Sequence, residues 1–584
     1  MTHIPHGSSD AERCHAINID PALGVRILSN GIWLYGPVLL ALSLSLIFNF
    51  SINLTSFFLN RQDLYLLFIG ALLLAIPWAK RGGRNTPLAA DVRLLPLVVV
   101  LLVLICLAGH RWILAGYDMS RDEQMATFDA AVFASGHLVQ KVPVPWRDHA
   151  DALNTLFMYP AVHREAWISS YLPGNAALRA LTGIIASPTL TGPLLTAIGA
   201  IALWGCVRHI WPRDREAPTI ALLLYAGSGQ VLVIGMTAYA MPAHLAFNLV
   251  WLWLFLRRNW WADAAALAVG FGAVGLHQPL MHPMFAAPLL FLLLLERQWS
   301  RAVFYLVGYA AISAFWLWWP GWTWSLVQAG PGAQQPVGVD YFTRLKITVL
   351  NRDPLGMFDM IANLLRFVAW QHLLLIPLMA LGWKVARQDR LAGALAFGLL
   401  ITTFVMAVIL PYQGHGFGYR YLHGLIGNCI LLAVYGWKSL NGRQPEWRRL
   451  LLGASVAGGI VILPLQLWMA HAFYGPAAAL DKRIAAMDAD YVLIGADAAP
   501  FALDLVHNSP ALDRRPVRLI AEKADDDVVA TLCRNRPRVA LMGDRLFDRM
   551  NAYYGIAPQD VAARRNRILV PRLEAAGCRV SVVS

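Results

Sequence analysis

Between residues 31 and 470 the chain alternates long apolar runs with short polar breaks. Thirteen runs stand out, near 31–50, 64–79, 94–114, 189–210, 217–236, 241–257, 262–278, 280–296, 302–320, 360–383, 391–411, 424–440 and 450–470. Each approaches the roughly 20 apolar residues that an α-helix needs to cross a bilayer. A helix satisfies its own backbone hydrogen bonds, as a lipid-embedded segment must. The pattern predicts an all-α polytopic membrane domain over 31–470. A different rhythm begins near residue 478. Short β-branched runs, Tyr491–Gly495, Val517–Ile520, Val539–Met542 and Arg579–Val583, alternate there with amphipathic stretches at 524–535 and 558–576. That alternation predicts a small C-terminal α/β domain, 478–584, outside the membrane. Residues 1–30 are polar and read as a cytoplasmic tail. The first apolar run lacks a small-residue cleavage site and reads as a retained signal anchor.

Composition agrees with the pattern. The chain has 584 residues, 58% hydrophobic and 14% charged, with a mean hydropathy of +0.51. Soluble domains carry about a quarter charged residues. The net charge of +13 acquires its meaning from position. Lys80, Arg81, Arg84, Arg93, Arg208, Arg213, Arg257, Arg258, Arg297, Arg301, Lys384, Arg387, Lys438, Arg443 and Arg448 fall in alternate short loops. The positive-inside rule makes those loops cytoplasmic, so the charge orients the chain and nucleic acid is not its partner. An odd number of spans then puts the N-terminus inside and the C-terminal domain outside, as in a bacterial inner membrane. Long outer segments follow at about 115–188 and 321–359. The first holds two helical stretches too short to span, 121–137 and 174–186. Six cysteines are too few for a disulfide framework, although Cys533 and Cys578 are free to pair in an outer domain. No Walker motif or internal repeat is present.

Three clusters carry candidate chemistry. In Ser120-Arg121-Asp122-Glu123 the serine and Glu123 form a capping box, and acids in a first turn are favoured by the helix dipole. Capping accounts for Glu123 better than for Asp122, because adjacent helical residues diverge by about 100°. The helix N-terminus also keeps Asp122 ionised and able to take a proton. The second cluster is Gly414-His415-Gly416-Phe417-Gly418-Tyr419-Arg420-Tyr421-Leu422-His423. An arginine in an outer loop runs against the charge trend; it is either a surface residue in an aromatic belt or a fork for a phosphate. The third, Leu276-His277-Gln278-Pro279-Leu280-Met281-His282, is a tight turn whose histidines serve packing or form a polar cavity wall. No H-E-x-x-H pattern accompanies them.

The order Ser120-Arg121-Asp122-Glu123-Gln124, then Tyr171-Leu172-Pro173-Gly174-Asn175, then Arg208-His209-Ile210-Trp211-Pro212 resembles the GT-C superfamily of integral-membrane glycosyltransferases. The protein O-mannosyltransferases and aminoarabinose transferases are examples of enzymes it resembles. The resemblance covers about 115–300; the two leading spans and the Pro143–Asp148 stretch depart from it. It implies a sugar donor on a polyprenyl phosphate and a lipid, glycan or protein acceptor at the outer face. It also implies direct displacement with inversion. On that basis Asp122 is the expected general base, with Glu123 either holding a divalent cation or capping its helix. Arg420, helped by His415, His423 and Tyr419, is expected at the donor phosphate; His277, His282 and Tyr171 are expected in the cavity wall. No cofactor is legible beyond that cation. The C-terminal domain is expected to cover the cavity or bind the acceptor. A transporter or flippase, or a non-catalytic subunit of polysaccharide assembly, is the alternative.

Overall fold

The computed structural model describes residues 21–48, 53–76, 87–88, 93–161, 164–327, 341–351, 356–440, 442–557 and 560–584. Among them six helices are long and apolar enough to cross a membrane: Leu54–Ala75, Leu94–Trp112, Pro188–Ile210, Trp299–Val327, Arg390–Ile409 and Gln444–Ala485. The pair Ala217–Ala226 and Gly229–Gly235, bent by 58°, makes a seventh. Shorter apolar helices at Gly31–Ile47, Met241–Leu256, Trp260–Val274, Met281–Leu295 and Leu375–Val385 fill the bundle. The helix Leu94–Trp112 leaves Leu97, Val100 and Leu104 more than half exposed, and Trp299–Val327 does the same with Val303, Leu306 and Val307. A band of bare aliphatic side chains on long helices is a lipid-facing surface. At the centre lies Ile426–Lys438, buried on every side from Ile426 to Trp437. It crosses Leu375–Val385 at Gly382 and Gly436, where an added Cβ would lie 1.9–2.0 Å from the carbonyl oxygens of Leu432 and Leu378. Small residues at such crossings let two backbones approach. The protein is a multi-pass membrane protein.

Two expected spans are broken. The run 217–236 bends at Gly227–Ser228, and 360–383 splits into Gly356–Ala369 and Leu375–Val385. The two breaks pack on one another and exchange hydrogen bonds. The Gln230 amide donates to the Trp370 carbonyl at 2.9 Å, Ser228 Oγ to Gln371 Oε1 at 2.8 Å, and Gln371 Nε2 to Gln230 Oε1 at 2.7 Å. Broken helices are tolerated inside a bundle only when the freed backbone groups find partners of this kind. Gln230 Nε2 also donates to the Tyr419 carbonyl, 2.9 Å away, so the paired breaks hold the loop that carries Arg420.

The segment before residue 190 contributes the helices Arg121–Ala134 and Gly174–Ile185 and a two-residue antiparallel ladder of β1 (Gln140–Lys141) with β2 (Ala166–Trp167). Of the second long segment, Trp299–Val327 continues past residue 321, a helix spans Tyr341–Leu350, and 328–340 lies outside the described residues. The last membrane helix runs unbroken to Ala485, beyond residue 478. The sheet then follows: β3 (Tyr491–Ile494), β4 (Val517–Ile520), β5 (Arg538–Met542) and β6 (Arg579–Val583), all parallel in the order β4-β3-β5-β6. Helices Asp526–Cys533, Asp548–Tyr554 and Val561–Ala575 connect the strands; the middle one is not apparent from the residue pattern. A disulfide joins Cys533 to Cys578, with Cα atoms 4.9 Å apart. Side chains alternate across a strand, and here each face has its own partner. Val492, Ile494, Ala540 and Met542 join the core of the helical bundle. Leu493, Val517, Leu519 and Leu541 pack with Met125, Phe128, Trp146 and Trp167 of the 115–188 segment. The C-terminal domain therefore shares a core with both.

Candidate active site

The helix Arg121–Ala134 is started by a complete capping box: Ser120 Oγ accepts from the Glu123 amide, and the Ser120 amide donates to Glu123 Oε2 at 3.1 Å. Glu123 is fully buried. It also accepts from Tyr474 Oη at 2.9 Å and from the Ala238 amide at 3.4 Å. Both of its oxygens are thus engaged by protein donors, which is the geometry of a cap. Among the described residues no three His, Cys, Asp or Glu lie together in a metal-binding group. Burial, with Asp118 nearby, pushes the Glu123 carboxyl up to about 7; burial likewise lifts Asp129, bonded to Ser169, to about 7. A carboxyl raised on folding binds more protons folded than unfolded between its ordinary value of about 4.3 and 7. Its contribution to stability is complete at the acid end of that window and is lost as pH rises through it. The melting temperature in detergent is expected to fall between pH 5 and pH 8, with a shallower fall in Glu123→Gln. An unchanged slope in the variant would contradict the assignment.

Asp122, one residue before, points the other way. Its Oδ2 accepts from Arg420 Nη1 at 3.0 Å, and its Oδ1 accepts from the Tyr171 hydroxyl. The Arg420 side chain is 4% exposed and that of Asp122 22%. Burial alone pushes the Asp122 carboxyl up; Arg420, His277 and the Tyr171 hydrogen bond together outweigh it and hold the group below its ordinary value. It is therefore ionised throughout the neutral range. Burial pushes the His277 imidazole down to about 4 despite Asp122, so that ring is neutral.

Backbone pairing brings Tyr171 here. The Gly174 amide donates to the Gly275 carbonyl at 2.8 Å, Asn175 to Leu276 at 3.3 Å and Leu172 to His277 at 3.5 Å. The 172–175 segment thus lies along the turn 275–277, and the Tyr171 and His277 rings meet 4.4 Å apart. Only glycine fits at 174, because a Cβ there would stand 2.6 Å from the Gly275 oxygen. Gly174→Ala is expected to cost about 1–3 kcal/mol through overpacking. It should also displace Tyr171 from Asp122. A melting curve and an activity assay that both match the wild type would refute this.

Arg420 is set by its loop. Gln413, fully buried, accepts from the Arg420 amide at 2.7 Å and donates to the Gly418 carbonyl at 2.9 Å. The guanidinium lies over the Tyr239 ring, 4.4 Å from its centroid. Two small cavities of about 20 Å³ each meet at Arg420, Met241 and His277. One is lined by Asp122, Asp129, Tyr171 and Asn175; the other by His244, Asn248, Thr402 and Tyr421. Each has room for about one water.

The structure thus gathers Asp122, Tyr171, His277 and Arg420 at one point and places the remaining candidates elsewhere. His282 donates and accepts within the bundle, with Asn248 Oδ1 at 2.8 Å and Tyr309 Oη at 2.6 Å. It is a buried bridging residue rather than a wall of the Asp122 cavity. His415 packs on Phe501 at 4.1 Å and beneath Tyr554 of the C-terminal domain. His423 is buried in the turn Arg420–Leu425 and lines neither cavity. Tyr419, expected at the donor phosphate, is buried against Tyr421, and it is Tyr421 that lines the cavity beside Arg420. Tyr239, His244, Asn248 and Asp129 join the site without a sequence signal; only the polar break at Thr237–Ala240 in an apolar stretch hints at the first.

No family model matches the sequence, and no curated protein matches it significantly. Solved structures do. The chain is similar to ArnT from Cupriavidus metallidurans bound to undecaprenyl phosphate, with a TM-score of 0.50 at 11% identity, over 83% of this chain and 90% of that one. It also matches ArnT from the same organism in the apo state, with a TM-score of 0.45 at 12% identity, over 81% and 90% of the two chains. The chain therefore shares the fold of ArnT.

Proposed function

We propose that the protein is a GT-C-type glycosyltransferase that moves a sugar from a polyprenyl phosphate to a lipid, glycan or protein acceptor. The observation that carries this reading is the buried pair of Asp122 and Arg420 on an ArnT-like fold. ArnT was solved with undecaprenyl phosphate, a lipid of the class proposed as this protein's donor carrier. Arg420 supplies the cation for the donor phosphate, and Asp122 takes the proton of the attacking hydroxyl or amine. The acceptor oxygen or nitrogen bonds to the anomeric carbon from the side opposite the phosphate, the carbon–phosphate oxygen bond breaks, and the configuration inverts. Polyprenyl phosphate departs as an anion stabilised by Arg420, so no strong acid is required. The positive-inside pattern puts the reaction at the outer face of the membrane, with the C-terminal domain over it.

In the resting site the proposed base and the proposed phosphate cation neutralise each other. Both carboxylate oxygens of Asp122 are occupied, and the flanking cavities are too small for a sugar. A donor phosphate would draw Arg420 away and release Asp122, which makes donor binding the first step. The test is transfer of label from radiolabelled polyprenyl-phosphate sugars in membranes holding the native chain or Asp122→Asn. Label reaching a new product only with the native chain supports the reading, and no transfer from any donor refutes it. One observation favours a transporter instead: two broken helices meet inside the bundle, a feature of secondary transporters. Their polar groups are spent on each other, as described above. Donor flipping in proteoliposomes without transfer would establish that alternative.

A further inference from the structure

A larger, separate cavity lies on the far side of the helix that carries Asp122. It has a volume of about 530 Å³, within the roughly 300–1,000 Å³ of small-ligand sites. One wall is the helix face bearing Arg121, Gln124 and Phe128; the other is the loop of the C-terminal domain from His507 to Arg518. It is preformed, whereas the voids beside Asp122 hold about one water each.

Most polar groups in its walls are used internally. Arg121 donates to the carbonyls of Asn154, Leu156 and Val506 and to Gln124. Arg518 pairs with Asp481, and Asn508 bonds the Arg518 backbone. His507 completes that network through Asp481. Four groups are left over. At the floor, the Tyr117 hydroxyl and Asp118 Oδ1 are buried without a hydrogen-bond partner, and the Tyr117 side chain belongs to a residue only 6% exposed. Buried polar atoms left unpaired cost about 1–3 kcal/mol each, so they are expected to have a partner. At the mouth, Arg514 and Arg515 are exposed and have no ion pair among the described residues; Arg515 lies over the Tyr491 ring at 5.4 Å. Trp167 and Phe128 supply aromatic wall between the two ends.

We propose that this cleft binds an anionic saccharide. A carboxylate and a phenol at the floor suit ring hydroxyls, which can donate to one and accept from the other. Aromatic side chains suit the apolar faces of a sugar ring, and two unpaired guanidiniums suit a phosphate or uronate left at the mouth. A neutral sugar leaves the arginines unused; a bare anion leaves the floor unpaired. As the holder of an acceptor glycan, the cleft rests on the transferase reading above; as an anionic-saccharide site, it does not.

The test uses full-length protein in detergent and three fluorescent saccharides: tetragalacturonate, pentamannosyl phosphate and neutral mannopentaose. Saturable binding of one acidic saccharide is expected, and which one binds identifies the anion. Mannopentaose should bind at least about tenfold more weakly, and Arg514→Glu with Arg515→Glu should weaken the acidic ligand by about tenfold or more. Tyr117→Phe should weaken it without altering charge. Binding of neither acidic saccharide, equal binding of mannopentaose, or indifference to the double arginine reversal would overturn the proposal. Binding requires neither donor nor turnover and should survive in Asp122→Asn. Arginine-dependent binding without label transfer would therefore leave the cleft standing while the transferase reading fell, and label transfer without binding would do the reverse.

Discussion

Asp122→Asn is expected to lower label transfer by about 10²–10⁴-fold, the range for loss of a general base. Asparagine retains the shape of the side chain and can still accept one hydrogen bond, from Tyr171 or from Arg420. It cannot take a proton. The same change leaves Arg420, 4% exposed, without its counter-charge. An unpaired buried charge costs at least about 1–3 kcal/mol. A fall in melting temperature should therefore accompany the loss of activity, which makes the single variant ambiguous. The double variant Asp122→Asn with Arg420→Gln resolves this. It removes both charges together, so its melting temperature should recover part of the loss while its activity stays absent. Activity retained in Asp122→Asn at wild-type stability would remove Asp122 from the mechanism. Activity returning with stability in the double variant would mean that the pair is structural.

Arg420→Gln alone should reduce kcat/KM by about 10²–10³-fold, as for loss of one preorganised donor to developing charge. It has a second signature. In the native protein Asp122 sits below its ordinary value because Arg420, His277 and Tyr171 together outweigh burial. Without the guanidinium, burial is less opposed and the carboxyl rises. The ionised base then forms only as pH increases. Residual activity of the variant is expected to climb between pH 5 and pH 8, where Asp122 gives the native enzyme no such limb. A variant with the native pH profile would show that Arg420 does not control Asp122. Arg420→Lys should fall between the two, since an ammonium keeps the charge but cannot fork onto a carboxylate and lie flat on Tyr239 at once.

Some features of this protein were legible because they depend on nearest neighbours in sequence. The apolar runs partition with lipid whatever their partners are, so helices occur where the pattern put them, although among the described residues only six, or seven with the bent pair, are long and apolar enough to cross a membrane. The Ser120–Glu123 capping box closes within one turn. The four strands follow their β-branched runs to within a residue. Asp122 and Glu123 diverge because adjacent helical residues must. Breaks inside apolar runs were harder to read. Ser228, Gln230 and Gln371 look like isolated polar residues until the two interrupted helices are set against each other.

The assembly of the site was decided by packing alone. Arg420 reaches Asp122 across 298 residues, and Tyr171 reaches it because the backbone at 172–175 pairs with the turn at 275–277. Neither approach has a periodic signature. The choice of Tyr421 over Tyr419, and of His277 over His282, is a choice of which way a side chain turns in a loop or at a helix end. The sequence by itself determined that this chain fills a membrane with helices, starts one polar helix with a buried glutamate and an ionised aspartate, and ends in a small parallel sheet. Only the tertiary structure decided which distant cation neutralises that aspartate, because long-range electrostatic and steric complementarity exists between surfaces that the chain brings together only by folding.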